Sequence, residues 1–409
     1  MSFNVIIKRM LKGVETIYFI WNVSRQYSGN TRVHYNFQDF ITFVIGLFFN
    51  IKNQINLLIM VESVKNGWTT FARFFIKEVI FMWYDWLLLI VGMVLLIKGA
   101  DFFVDGSSRI AKALKIPSLI IGLTLVSMGT SAPEASVSIN SAVNGLNDLS
   151  IGNVVGSNIF NTFLILGLSS LFAPLVISKE MRIYDIPIMV GLYVVLILFS
   201  FVTSPLVLDI FESIGLLVLF VGYMVFLVLR AKKNPPSEEV LEVSNEATED
   251  VENKKKEEKK KPIWLSIIFV IGGLAAIIFG GDLVVDSASN IAIKLGMSEA
   301  LVGLTIVAVG TSLPELVTSV VATAKKELDI AIGNVIGSNI FNVVFILGLS
   351  STISNLSVNS EQLFDMLVML GSGLAVLLIG FASKKLRKWQ GALLFLAYVA
   401  YLVYIIVRN

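Results

Sequence analysis

Hydrophobic residues occur in long, nearly unbroken runs along most of the chain. An α-helix needs about 20 mostly apolar residues to cross the hydrocarbon core of a bilayer, and ten runs meet that length. The pattern therefore predicts an all-α integral membrane fold. The ten predicted spans are residues 83–104, 118–144, 149–172, 183–203, 206–230, 263–287, 299–325, 330–353, 361–383 and 388–407.

Two segments break this pattern. Residues 231–262 contain a run of lysines and glutamates at 254–261 and predict a solvated, charged linker between two five-span halves, 83–230 and 263–407. In residues 1–82, the apolar stretch 40–61 is interrupted by asparagine, lysine and glutamine, which are costly in hydrocarbon. We interpret 1–82 as an N-terminal extension that is disordered or is not native, the natural product then beginning at Met82.

Basic residues favour one side of the predicted membrane. Counted over short loops, Lys and Arg cluster on the cytoplasmic side of a membrane protein. One set of alternate loops contains the linker and nearly all of these residues, while the opposite set contains only Lys294, with Arg408 at the C-terminus. We therefore expect a multi-pass protein of the cell membrane, with its linker in the cytoplasm and its C-terminus outside.

Composition narrows the possible functions. The chain is 56% hydrophobic with a mean hydropathy of +0.81 and is 15% charged, against about 25% in a typical soluble domain. The net charge of +2 is not spread over a face that would bind nucleic acid. Cysteine is absent and the single histidine, His34, lies outside every motif below, so an enzyme or a bound cofactor is not expected. Nothing in the pattern indicates an oligomeric state.

The chain contains an internal duplication. Residues 99–170 align with 280–351 at an offset of 181 without a gap, and 35 of the 72 positions are identical. Each half carries five predicted spans, an odd number, so the two copies must cross the membrane in opposite senses. Such inverted repeats place a binding site near the midplane, where they meet.

The first duplicated motif is Gly-Thr-Ser-x-Pro-Glu, which ends at Glu134 and at Glu315. Its proline lacks an N–H and clashes with the carbonyl four residues earlier, so each helix should break at Gly129 or Gly310, at the midplane. Backbone carbonyls freed at that depth are tolerated where they line a cavity, and there they suit hard cations. The candidate carbonyls are those of Ser127, Thr130, Ala308 and Thr311.

Carboxylates in a membrane helix indicate function. A charged group costs roughly 2.5 kcal/mol or more at the bilayer centre, so Glu134 and Glu315 are the principal candidates. Ser131 and Ser312 lie three residues before them, on the same predicted helical faces. The second motif adds neutral oxygens at four-residue spacing. Its serines are equally well explained as small residues that let helices pack closely. These residues are Ser157, Asn161, Ser338 and Asn342.

Other polar residues also recur at the offset. Asp101, Asp105, Asp282 and Asp286 lie near predicted span ends, where capping or pairing with Arg109 or Lys294 is as reasonable as binding. For the remaining duplicated asparagines, hydrogen bonds between helices are favoured over ligation. These are Asn153, Asn158, Asn334 and Asn339.

Two carboxylates among hydroxyl, amide and carbonyl oxygens suit Ca²⁺, which takes six to eight oxygen ligands, and their charge matches that of the ion. Na⁺ uses the same kind of oxygens. If both ions draw on the same carboxylates, they compete, and competition is the physical basis of exchange.

At these motifs, the sequence resembles the calcium/cation antiporter superfamily, specifically its Na⁺/Ca²⁺ exchanger branch. The resemblance covers about 83–407 and implies ten spans in inverted fives, alternating access and electrogenic exchange of several Na⁺ for one Ca²⁺. It implies Glu134 and Glu315 as central ligands, with backbone oxygens from Thr130 and Thr311. It also implies flanking Na⁺ sites at Ser131, Ser157, Ser312 and Ser338, with Asn161 and Asn342 in the middle.

One departure bears on selectivity. Potassium-dependent members of the superfamily, and some prokaryotic ones, have aspartate at the position of Asn342. Both copies here have asparagine, which removes one candidate negative charge, so we expect transport without K⁺. The proton-coupled branch typically has a glutamate shortly after a Gly-Asn pair, which this chain lacks. An antiporter of Ca²⁺, or of another divalent cation, against H⁺ remains the alternative, because two membrane carboxylates can also release protons when metal binds.

Overall fold

The computed structural model describes residues 70–201, 206–233, 262–297, 306 and 308–408. Clustering of contacts separates residues 1–80 from 81–409, and the second unit contains all the elements below except the start of the first helix. The helices are α1 (Thr70–Leu114), α2 (Ser118–Thr130), α3 (Ala132–Val143), α4 (Asn147–Phe172), α5 (Met181–Phe199), α6 (Ile210–Lys233), α7 (Ile263–Lys294), α8 (Ala308–Gly310), α9 (Leu313–Ala324), α10 (Leu328–Ile353), α11 (Ser360–Ser383) and α12 (Lys388–Arg408).

The predicted all-α membrane fold is confirmed at this level. Eight of the described helices are long and apolar enough to cross a membrane, and they correspond to eight of the ten predicted spans. The predicted span 118–144 is divided into α2 and α3, and the predicted span 299–325 includes α8 and α9. Residues 298–305 and 307, most of the linker and nearly all of the N-terminal extension lie outside the described residues.

Two helices form the centre of the unit. In the most apolar window of α10, 94% of the residues are buried within the protein, and in that of α4, 72%. The corresponding share in the other six long helices is only 17–39%, because their outer faces are left for lipid. Polar residues in α4 and α10 can therefore find partners inside the protein, as an environment without water requires.

The first helix of each half is longer than predicted. We expected ends at residues 104 and 287, but α1 continues to Leu114 and α7 to Lys294. Asp101 and Asp105 therefore lie inside a helix rather than at its end.

Their charges are compensated by another element. Lys325, just after α9, lies 2.6 Å from a carboxylate oxygen of each of the two aspartates. Lys294 pairs with Asp85, and Arg109 lies over the Phe269 ring. The pairing of Asp101 and Asp105 with Arg109 or Lys294 was therefore wrong.

Two short antiparallel strand pairs connect the halves. β1 (Leu175–Val176) pairs with β4 (Lys385–Leu386), and β2 (Val207–Leu208) pairs with β3 (Leu356–Ser357). The duplication places β1 and β3 at equivalent positions, so the two pairs are related by the same symmetry as the repeats. Each pair joins segments that flank long helices of different halves.

Candidate cation site

Both copies of the first motif interrupt a helix. In the first copy, α2 ends at Thr130 and α3 begins at Ala132, so the break is at Ser131, two residues beyond the predicted Gly129. In the second copy, α8 ends at Gly310 and α9 begins at Leu313, so the break is at residues 311–312, directly after the predicted Gly310. Each proline occupies the first turn of the new helix, where a missing N–H breaks no hydrogen bond.

The two glutamates are the third residues of α3 and α9, and both are fully buried. The N-terminus of a helix carries a partial positive charge that stabilises a carboxylate. The C-terminus of the preceding helix presents carbonyl oxygens, which are suited to cations. Each break therefore places a carboxylate beside the carbonyl end of a helix.

The motifs of the two repeats meet through reciprocal hydrogen bonds. Ser131 Oγ donates to Oε1 of Glu315 at 2.8 Å, and Ser312 Oγ donates to Oε1 of Glu134, also at 2.8 Å. Sequence spacing suggested that each serine would accompany the glutamate of its own helix. The structure instead places each serine against the glutamate of the other repeat, so one site is built from both.

The second motif contributes unequally from the two repeats. Ser157 Oγ donates to Oε1 of Glu134 at 3.3 Å and accepts a hydrogen bond from Asn342 Nδ2 at 3.3 Å. It also lies 3.0 Å from Ser312 Oγ, whose proton is donated to Glu134. Ser338, its counterpart, donates to the carbonyl of Ser127 at 3.4 Å. The polar network around Glu134 is therefore denser than the one around Glu315.

Four buried oxygens at the site have no hydrogen-bond partner among the described residues. An unpaired buried acceptor is costly, and a cation can supply the missing interaction. In the part of the chain that the structure describes, no group of three or more acidic, histidine or cysteine side chains lies close enough together to hold a metal ion. The four oxygens are Oε2 of Glu134, Oε2 of Glu315, Oδ1 of Asn161 and Oδ1 of Asn342.

The remaining candidates lie beside the breaks. The hydroxyl of Thr130 donates to the Asn334 side chain at 3.0 Å, and that of Thr311 to Asn153 at 3.4 Å. The carbonyl of Ser127 accepts hydrogen bonds from the backbone N–H of Ser131 and from the Ser338 side chain, so it is already engaged. Ala308 is the first residue of α8.

Asparagines join the two central helices, as predicted. Asn158 Nδ2 donates to the carbonyl of Asn339 at 3.1 Å, and Asn161 Nδ2 donates to the Asn339 side chain at 3.1 Å. Asn339 donates in turn to Thr162 at 2.8 Å. Asn161 and Asn342 also lie in π-helical turns, Phe160–Ile165 and Asn342–Leu347, which are frequent at functional sites.

Sequence reasoning missed two buried threonines. Thr162 accepts the hydrogen bond from Asn339, and Thr318, one turn after Glu315, has a buried hydroxyl without a partner among the described residues. Valines occupy the equivalent positions, Val343 and Val137. Because neither threonine is duplicated, the repeat gave no signal for them.

A family model described as "Sodium/calcium exchanger protein" matches residues 84–229 and 265–407 of the chain. The putative antiporter CaxA of Alkalimonas amylolytica is 37% identical over 318 residues, which are 76% of this chain and 95% of that protein. The sodium/calcium exchanger MaX1 of Methanosarcina acetivorans is 34% identical over 349 residues, covering 78% of this chain and 97% of the relative.

A solved structure has a similar fold. The sodium-calcium exchanger NCX_Mj, soaked with Na⁺ and Sr²⁺, superposes with a TM-score of 0.66 at 29% sequence identity. The superposition covers 79% of this chain and 99% of that one. The similarity extends over nearly the whole of NCX_Mj, including both copies of the duplicated region.

Proposed function

Because the chain belongs to the sodium/calcium exchanger protein family, whose members move ions rather than catalyse reactions, we propose that it exchanges Na⁺ for Ca²⁺ by alternating access. It is a multi-pass membrane protein. In this proposal it lies in the cell membrane and crosses it ten times, as two inverted five-helix repeats in which α2 with α3, and α8 with α9, form broken spans. The linker faces the cytoplasm and the C-terminus faces outside.

The observation that carries the proposal is the reciprocal contact of the two motifs. Two buried carboxylates, each hydrogen-bonded by the serine of the other repeat, retain one unpaired oxygen each. Their combined charge of up to −2 matches one Ca²⁺, and the surrounding neutral oxygens provide the rest of a hard-cation shell. A Na⁺ ion that uses either carboxylate competes with Ca²⁺.

The proposed ligands follow from this geometry and from the family. Glu134 and Glu315 bind Ca²⁺ from both sides, with unpaired amide oxygens nearby. Neutral oxygens complete this site and the flanking Na⁺ sites. They come from Thr130, Ser131, Ser157, Asn161, Ala308, Thr311, Ser312, Ser338 and Asn342. The carbonyl of Ser127 is left out, because hydrogen bonds from Ser131 and Ser338 already occupy it.

The number of carboxylates in the site bears on which ions are exchanged for Ca²⁺. With Asn161 and Asn342 in place of acids, the site offers no third carboxylate for K⁺, so exchange is K⁺-independent. More than two Na⁺ move per Ca²⁺, which makes exchange electrogenic. Exchange of Ca²⁺ for H⁺ is the competing function, since the same carboxylates can carry protons.

The test is ⁴⁵Ca²⁺ uptake into Na⁺-loaded proteoliposomes by the unaltered protein and by Glu134→Gln and Glu315→Gln. Each substitution removes one of the two charges while keeping the side-chain shape, so uptake should fall at least a hundredfold. Glu361→Gln is the control, because Glu361 is largely exposed at the start of α11 and pairs with Arg408 rather than with any motif residue. Full activity of either motif variant would refute the site.

A further inference from the structure

Two asparagines brace the helices that carry the glutamates. Asn153 Nδ2 donates to the main-chain carbonyl of Glu134 at 3.2 Å and to Ser138 Oγ at 2.8 Å. In the other repeat, Asn334 Nδ2 donates to the carbonyl of Glu315 at 3.4 Å and to Ser319 Oγ at 3.0 Å. Each amide nitrogen thus spans one turn of its own repeat's half-helix, starting at the glutamate.

The oxygen of each amide faces the opposite repeat. Asn334 Oδ1 accepts a hydrogen bond from Thr130 Oγ1 at 3.0 Å, and Asn153 Oδ1 accepts one from Thr311 Oγ1 at 3.4 Å. The donors of each amide are therefore used within one repeat and its acceptor across the interface. Because the two ends of an amide cannot exchange roles without losing these bonds, the contacts also hold its orientation.

We propose that Asn153 and Asn334 are positioning residues that fix the two carboxylates relative to each other. Each amide links the first turn after one glutamate to the threonine four residues before the other glutamate. Movement of one half-site is thereby transmitted to the other. This inference rests on the proposed function, in which one Ca²⁺ is shared by Glu134 and Glu315.

Fixing the separation of the two carboxylates should affect the binding of Ca²⁺ and of Na⁺ differently. A Ca²⁺ ion held by both carboxylates depends on their separation, and small errors of placement lose binding energy. A Na⁺ ion held by one carboxylate with neighbouring oxygens does not depend on that separation. Loss of the brace should therefore weaken Ca²⁺ binding more than Na⁺ binding.

The test is a double-mutant cycle on the tighter of the two links. Asn334→Ala, Thr130→Val and the double variant are compared by calorimetric Kd for Ca²⁺ in Na⁺-free buffer and by the Na⁺ concentration that half-displaces Ca²⁺. Thr130→Val keeps the backbone carbonyl proposed as a ligand and removes only the hydroxyl. Each single change should raise the Kd for Ca²⁺ about tenfold, and the double variant should be no worse than Asn334→Ala.

Two controls separate positioning from stability. Thr130→Ser keeps the donor and should bind Ca²⁺ more tightly than Thr130→Val, and this comparison decides the matter even if Asn334→Ala fails to fold. The affinity for Na⁺, obtained from the displacement data and the Kd for Ca²⁺, should change less than threefold.

Two results would contradict the proposed positioning role of Asn334. One is a double variant whose rise in the Kd for Ca²⁺ equals the product of the two single rises. The other is an equal loss of affinity for Ca²⁺ and for Na⁺. The proposed function fails separately, if the unaltered protein binds no Ca²⁺ or shows no Na⁺-driven uptake.

Discussion

Ser131 and Ser312 occupy equivalent positions in the two repeats, but their hydroxyl groups make different contacts. Ser131 donates to Glu315, whereas Ser312 contacts both Glu134 and Ser157. A hydrogen bond to a charged group contributes about 1.5–3 kcal/mol, and the second network has more members.

We therefore predict that Ser131→Ala raises the KM for Ca²⁺ about tenfold, and that Ser312→Ala raises it more, because Ser157 also loses a partner. The measurement is initial ⁴⁵Ca²⁺ uptake as a function of Ca²⁺ concentration. Ser136→Ala, an exposed position on α3, is the matched control. Equal increases in KM for Ser131→Ala and Ser312→Ala would show that the additional contact between Ser312 and Ser157 does not affect Ca²⁺ transport.

At the residue scale, much of the site was predictable, because duplication marks Glu134, Glu315 and their serines. Which serine meets which glutamate was not predictable. Helical spacing describes neighbours on one helix, whereas the contact forms between two helices from different repeats. The Ser127 carbonyl also looked free from the position of the proline, but its partners come from the turn itself and from Ser338 on α10.

Glycines set the distance between α1 and α7. A Cβ added to Gly273 would lie 2.7 Å from the carbonyl oxygen of Gly99, and one added to Gly280 would lie 2.8 Å from that of Gly92. The backbones of the two helices therefore touch, which only small residues allow. The adjacent Gly272 has open space around its added Cβ.

Gly273→Ala should force α1 and α7 apart and destabilise the protein by about 1–3 kcal/mol, the usual cost of overpacking. Gly272→Ala, one residue away, should leave stability unchanged or slightly raised. Thermal unfolding of both variants in the same detergent measures the difference. Equal melting temperatures would mean that the contact between the two helices is not tight.

The last helix of each half has, in its last turn, an arginine that pairs with acidic residues at the start of an earlier helix. Arg230 lies 2.7 Å from Asp185 and 2.9 Å from Glu180, while Arg408 lies 3.0 Å from Asp365. The side chain of Asp185 is fully buried, whereas that of Asp365 is 14% exposed. The two repeats thus have an equivalent arginine–aspartate ion pair, which is more deeply buried in the first repeat than in the second.

Arg230→Met should therefore destabilise the protein by about 3–5 kcal/mol, because it leaves a buried carboxylate without its partner. Arg408→Met should cost only about 1 kcal/mol, since water reaches its partners. Melting temperatures of the two variants test this order. A larger loss for Arg408→Met would contradict it.

At the element scale, apolar runs predicted the eight long helices because membrane spans need continuous hydrophobicity. The ends of α1 and α7 were predicted too early, since charged residues were taken as boundaries. Asp101 and Asp105 are tolerated within α1 because Lys325, distant in sequence, compensates them. A partner that is formed only by the fold leaves no local pattern.

At the scale of the whole molecule, the described helices pack around α4 and α10, the two most buried of the long ones. They carry the second motif of each repeat and connect to the glutamate-bearing helices through Ser157, Asn153 and Asn334. In the proposed inverted arrangement, the single site between the repeats can be reached from either side of the membrane. This arrangement is the structural requirement for alternating access.

The most direct test of the account is ⁴⁵Ca²⁺ uptake into proteoliposomes loaded with Na⁺, at equal pH on both sides and without K⁺. We predict uptake that requires the outward Na⁺ gradient and does not change when K⁺ is added or a pH gradient is imposed. Uptake that needs K⁺, or that is driven by an outward H⁺ gradient without Na⁺, would contradict it.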